Sequence, residues 1–255
     1  MSVAAFYRNK QKSFLGLVCV LCFAAIAAVA GEAKGADLPV TAPPEISPSI
    51  ATASSPVSTA LTPNAISVFA GRLSTTSLAN TMFFNIGQNY GPLYDNYIAG
   101  IAYDRDLLSL GYGFYVAAEV GVADRFGDYK ECCNPVITSS SAIQSAELWV
   151  GPQIRYAGVL LFDAVRVGGS VTVGLSTVSN SIGIEQQREI IDNGNARLLY
   201  YFGPEITFST PAAPRFELYV RVQHRSGGRE VPILPTLGNM AEGYNANVVG
   251  LRYRF

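Results

Sequence analysis

One histidine in 255 residues, and four cysteines, leave little from which to build a Cys/His metal centre. No Gly-rich phosphate loop and no GxSxG elbow occurs, so no cofactor is expected. Charge is scarce too: charged residues make up 15% of the chain against 49% hydrophobic. Eighteen Lys plus Arg stand against 19 Asp plus Glu, a net charge of −1, which argues against nucleic acid as a main partner. Long apolar runs are nearly absent. The single one, Phe14 to Ala30 (FLGLVCVLCFAAIAAVA), is shorter than the ~20 residues a membrane helix needs.

That run follows Arg8, Lys10 and Lys12 and ends in small residues, which reads as a secretory signal peptide over residues 1–35. Ala28-Val29-Ala30 offers one cleavage site and Ala33-Lys34-Gly35 another. Cys19 and Cys22 lie inside the segment without the small preceding residue that lipid attachment needs, so both are expected to be lost on cleavage. Residues 36–64 are rich in Pro, Ser, Thr and Ala without an apolar period and read as a flexible periplasmic leader.

What remains, residues 65–255, is rich in aromatics and glycine; the whole chain has 14 Tyr, 13 Phe and 24 Gly. Eight segments alternate with period two: Ile66–Arg72, Tyr97–Asp104, Gly113–Ala123, Ile143–Tyr156, Phe162–Thr177, Arg197–Ser209, Arg215–Arg225 and Tyr244–Phe255. Asn80–Gly87 is an alternative contributor to the first. Long polar connections (residues 73–96, 124–142, 178–196 and 226–243) alternate with short ones such as Ala157-Gly158-Val159 and Pro211 to Pro214. Few charges, many aromatics and alternating strands suit an all-β fold, an eight-stranded antiparallel outer-membrane β-barrel with short periplasmic turns and long external loops. Eight strands enclose an interior that side chains fill, which disfavours a solute pore. The expected location is the bacterial outer membrane. Cys132 and Cys133 sit in a long loop, where a vicinal disulfide, a link to another chain and two free thiols all remain open.

The last forty residues carry the chemistry. On the seventh strand Phe216, Leu218, Val220, Val222, His224 and Ser226 share one face, and Glu217, Tyr219, Arg221, Gln223 and Arg225 the other. The apolar set is expected to face lipid. His224 and Ser226 therefore fall on the lipid side, where the apolar band meets an external loop. Two residues apart on a strand, their Cα atoms lie roughly 6.5–7 Å apart, within reach for a base to activate a serine hydroxyl. An acid is needed to orient the ring; Glu242, just before the eighth strand, is the first candidate and Glu230 its rival. Arg225 and Arg229, near the outer end, are candidates for holding lipid phosphates. The closing strand places Asn245, Asn247, Val249, Leu251, Tyr253 and Phe255 on one face and ends on an aromatic.

The HRSGG segment, the loop with Asn and Glu, and the Tyr-Arg-Phe ending resemble PagL-type lipid A 3-O-deacylases. The match covers about the last forty residues; the other strands match in architecture only. The resemblance implies an esterase acting on lipid A in the outer leaflet, with Ser226 as nucleophile, His224 as base and Glu242 as orienting acid. The family commonly has Asn directly after the serine; here Gly227 stands there, so Gly227 N–H and the Asn239 side chain become the oxyanion candidates. The terminal aromatic resembles the signal read by the barrel-assembly machinery. A homodimer is left open. The competing expectation is a non-enzymatic surface antigen, adhesin or structural barrel, which would tolerate alanine at all three triad positions.

Overall fold

The computed structural model describes residues 63–82, 94–129, 144–229, 231 and 233–255. The signal peptide, nearly all of the leader, Cys132, Cys133 and Glu230 lie outside them. Eight strands are present: β1 (Asn64–Ser74), β2 (Tyr94–Gly111), β3 (Phe114–Tyr129), β4 (Gln144–Leu161), β5 (Val165–Val178), β6 (Leu198–Thr210), β7 (Ala213–Ser226) and β8 (Asn245–Arg254). Each pairs antiparallel with the next, and β8 returns to pair with β1 in register Ala65↔Arg254 to Ser74↔Asn245. Closure removes the sheet edges that would leave backbone N–H and C=O groups unpaired in lipid. Among the described residues two short helices lie in connections, α1 (Leu78–Met82) after β1 and α2 (Gly183–Asp192) after β5.

The connections alternate as the sequence implied. At one end β2–β3, β4–β5 and β6–β7 turn over Tyr112-Gly113, Phe162 to Ala164 and Pro211-Ala212. Tyr112 and Gly113 have φ of +50° and +82°, and Phe162 and Asp163 both +52°. Positive φ at both central positions gives the turn whose twist matches the flanking strands. The strand ends that lead into the four long connections all lie at the opposite end.

Several strands run further than their sequence pattern shows. Ala157-Gly158-Val159, expected as a turn, lies inside β4. There the β4–β5 register shifts between Tyr156 and Val159, and Gly158 takes φ +98°. A bulge has absorbed the extra residue. β2 likewise continues past Asp104 through a register shift between Asp106 and Leu108, which breaks the alternation in sequence while the strand goes on. The polar segment 178–196, expected as loop, contains α2. Its end was legible in Asn193-Gly194: Asn193 adopts φ +47°, and Gly194 N–H donates to Glu189 O at 2.9 Å.

Outward side chains form an apolar belt that includes Val68, Ile101, Val150, Val173, Leu218 and Leu251. A contiguous apolar exterior of this kind is stable against hydrocarbon rather than water. Aromatics gather near the tight-turn rim, where Tyr253 packs with Phe216 (5.1 Å) and Phe255 (6.2 Å). Others gather near the loop rim, as in Tyr97 with Phe126 at 6.1 Å. These are the positions of interfacial girdles.

The interior is filled by paired charges and aromatics. Arg221 donates to both oxygens of Glu119 (2.8 and 2.6 Å) and to Glu205 (3.0 Å). Arg252 holds Glu205 through two nitrogens (2.6 and 2.9 Å), and Arg254 donates to Glu217 at 2.6 Å. Trp149 donates to Glu119 at 2.6 Å and stacks on Tyr201 at 5.5 Å. Trp149 fits because Gly121 faces it; a Cβ there would overlap the indole. Burying charge is costly unless each member is paired and hydrogen-bonded, as here. Arg221→Met leaves Glu119 without its bidentate partner, and we expect a loss of about 3–5 kcal/mol. A fall in the urea midpoint of the protein refolded in micelles measures it.

Candidate functional site

The site lies at the loop end of β7 and β8. Along the outward face of β7, Phe216 and Leu218 are 50% and 52% exposed, but Val222 and His224 are 5% and 6%. Parity places His224 outside the wall, as expected, yet it is covered rather than open to lipid. The cover includes the start of the β1–β2 connection, whose helix α1 packs against β7 and β8. Ser226 follows on the same face, half-buried, and its hydroxyl makes no hydrogen bond among the described residues. No bond joins it to His224. The Phe202 ring stands edge-on to the imidazole with centroids 6.5 Å apart.

The group that holds the imidazole is Asn245. β7 and β8 bring His224 and Asn245 directly opposite one another, and Nδ1 lies 2.6 Å from Asn245 Oδ1. The other end of that amide is held as well: Asn245 Nδ2 donates to Thr76 O at 2.7 Å. Thr76 is itself fixed by a hydroxyl cluster. Its N–H donates to Ser74 Oγ at 3.2 Å, its Oγ1 lies 2.9 Å from Ser74 Oγ, and Thr81 Oγ1 lies 3.1 Å from Ser74 Oγ. Asn245 is fully buried.

Glu242 is placed differently from a triad acid. Its Oε2 pairs with Arg188 of α2 at 2.9 Å, and Arg188 also donates to Gly243 O at 2.8 Å. Glu242 acts on His224 as a nearby charge, opposed by Arg188 and Arg225, while the hydrogen bond at Nδ1 is made with Asn245 Oδ1.

The arginine and oxyanion expectations change with the loop geometry. Arg225 does not reach lipid phosphate: it points into the lumen, fully buried, paired with Glu185 and donating to Ala196 O (2.8 Å) and Ser176 O (3.2 Å). Its parity opposite His224 forces that. Arg229 is partly exposed and bridges Asn239 and Asp192, so it serves first as a loop tie. The Asn239 amide donates to Asp192 O (3.0 Å) and Asn193 O (3.3 Å) at the end of α2, so it is engaged away from Ser226. Gly227 is pressed against the returning loop, its O accepting from Leu237 N–H at 2.7 Å.

Asn245 carries a sequence signal, since it is a polar residue on the outward face where the apolar series stops. Its partner could not be read, because the cross-strand register depends on how the β7–β8 connection folds. Thr76 lies 169 residues away in sequence.

No family model matches the chain, and no curated protein matches it. Among solved structures it is similar to the outer membrane enzyme PagL, with 12% identity, TM-score 0.42, and coverage of 75% of this chain and 99% of that one. It is similar also to the outer membrane protein OprG of Pseudomonas aeruginosa (10%, 0.35, 76% and 97%). A third is Ail, the attachment invasion locus protein of Yersinia pestis (10%, 0.32, 76% and 99%). The likeness is one of barrel architecture.

A side chain at position 227 has no room: a Cβ would overlap Met240 O and stand 2.5 Å from Leu237 O, both backbone atoms. Gly227→Ala is therefore expected to cost about 1–3 kcal/mol. Urea unfolding, together with protease sensitivity of the β7–β8 connection, measures the loss.

Proposed function

We propose that this barrel resides in the bacterial outer membrane and is an esterase that removes an ester-linked 3-hydroxyacyl chain from lipid A. Ser226 is the nucleophile and His224 the general base. The observation that carries the reading is the placement of His224 and Ser226 on the outward face of β7, where the apolar belt gives way to the external loops. That level meets the boundary between acyl chains and sugar in the outer leaflet. A polar pair on the lipid side of a barrel is costly away from the interface.

The chemistry runs through Nε2. With Nδ1 occupied by Asn245, Nε2 is the nitrogen left to take the Ser226 proton as Oγ attacks the ester carbonyl. The sugar hydroxyl leaves with that proton, and water then releases the free 3-hydroxy fatty acid from Ser226. Glu242, next to the site but paired with Arg188, offsets the positive charge that forms on the ring. Gly227 N–H is the oxyanion donor in this scheme, since the Asn239 amide is engaged elsewhere. Because His224 is covered, its cover must open for a lipid ester to enter, a gating motion of the kind that closing segments perform in many enzymes.

The burial of His224 favours a second reading, in which the His224–Asn245–Thr76 chain is purely structural and the barrel displays its external loops to a partner. Mass spectrometry of lipid A from cells carrying the wild type or Ser226→Ala separates the two. We expect the wild type to release one hydroxyacyl chain, and Ser226→Ala to reduce that by ~10³-fold or more while inserting normally. Lipid A left intact by both proteins, across several acylation patterns, sinks the enzyme reading.

A further inference from the structure

We propose that Asn245 is the positioning residue for His224, and that it sets the imidazole as the Nδ1–H tautomer by relaying the polarity of the Thr76 carbonyl. In function this inference rests on the esterase reading; in structure it stands by itself.

The argument is one of donors and acceptors. A backbone carbonyl only accepts, so the end of the Asn245 amide facing Thr76 O, at 2.7 Å, is the NH₂ end. The other end is then the carbonyl Oδ1, and it too only accepts. It lies 2.6 Å from His224 Nδ1, which must therefore carry the proton. The lone pair is left on Nε2, the atom a general base needs. An Asn usually leaves open which of its two ends points where; here a fixed carbonyl decides it.

The anchor of this relay is well held. Thr76 N–H donates to Ser74 Oγ, Thr81 Oγ1 donates to Ser77 O and lies 3.1 Å from Ser74 Oγ, and Ser74 is the register partner of Asn245 in the β1–β8 pairing. The relay thus crosses three neighbouring strands, β7, β8 and β1, on the outward side of the wall. Glu242 does not do this work: Nδ1 is taken by Asn245, and the Glu242 carboxylate pairs with Arg188 at 2.9 Å. The two tasks that one carboxylate combines in a Ser-His-acid triad are divided here. Asn245 supplies orientation, and Glu242 supplies charge at longer range.

The chain's single histidine makes the test direct. Full-length protein labelled with ¹⁵N-histidine is folded in micelles, and the ring nitrogens are assigned through their couplings to the ring protons at a pH where the ring is neutral. We expect Nδ1–H in the wild type. Asn245→Leu, which removes the acceptor, moves the ring to the Nε2–H form that free imidazole prefers. Heat-modifiable mobility on gels checks that each variant folds, and the wild-type spectrum decides the matter even if Asn245→Leu does not. Nε2–H in the wild type overturns the proposal, as does an Nδ1–H signal unmoved in folded Asn245→Leu. In lipid A cleavage, Asn245→Leu lowers kcat by ~10³–10⁴-fold with KM little changed. Nδ1–H in a protein that cleaves no lipid A supports the positioning role and fails the esterase reading alone.

Discussion

The pairing of β8 with β1 is the constraint from which the rest of this protein follows. A sheet closed over eight strands has no edge, and each residue in its wall has two choices, lipid or lumen. The lumen of so narrow a barrel holds side chains rather than a water column. Every charge sent inward must therefore find an opposite charge inward. Arg252 shows the result: it lies against Asp104, Glu205 and Glu217, three carboxylates from three strands. Such a network contributes little net stability against an apolar filling, but the loss of one member is expensive. Its effect is to fix the relative positions of the strands.

The same network extends to the site. At the outer mouth of the lumen, Arg125 and Arg225 converge on Glu185, the buried residue of α2. That anchors α2 across the mouth. From α2, Arg188 reaches out to Gly243 O and Glu242, and Asp192 accepts from Ala241 N–H at 2.8 Å. The β7–β8 connection is thus tied to the barrel interior through a helix belonging to another loop. Arg225 lies one residue from His224 and from Ser226. It does structural work inside the wall while its neighbours face outward, and the alternation of a single strand separates the two roles.

The strands, their count and the face of each residue on β7 were legible because period-two alternation is a local signal. Strand ends were less so: the bulges at Asp106/Leu108 and at Gly158 interrupt the alternation without ending the strand. α2, only ten residues long, looks like a polar loop in sequence until the C-cap at Asn193 is weighed. In the site, His224 and Ser226 could be placed on the outward face from parity alone. Arg225 could have been set aside as a phosphate ligand by the same parity. The engagement of Asn239 with α2, and of Asn245 with Thr76, depends on how three separate connections pack together, which no local pattern encodes.

A polar amide rather than a carboxylate beside Nδ1 has a physical rationale in this location. The relay sits under a cover on the outside of the wall, next to lipid, where an unpaired charge is far costlier to desolvate than a neutral group with both ends bonded. Asn245 meets that condition: its NH₂ end binds Thr76 O and its carbonyl end binds the ring. Glu242 lies on the loop side of the cover, partly exposed and paired with Arg188. The carboxylate is kept at the aqueous margin, and neutral groups hold the ring on the covered face of the barrel. That ordering of charge by depth is the same rule that fills the lumen with pairs and the belt with aliphatics.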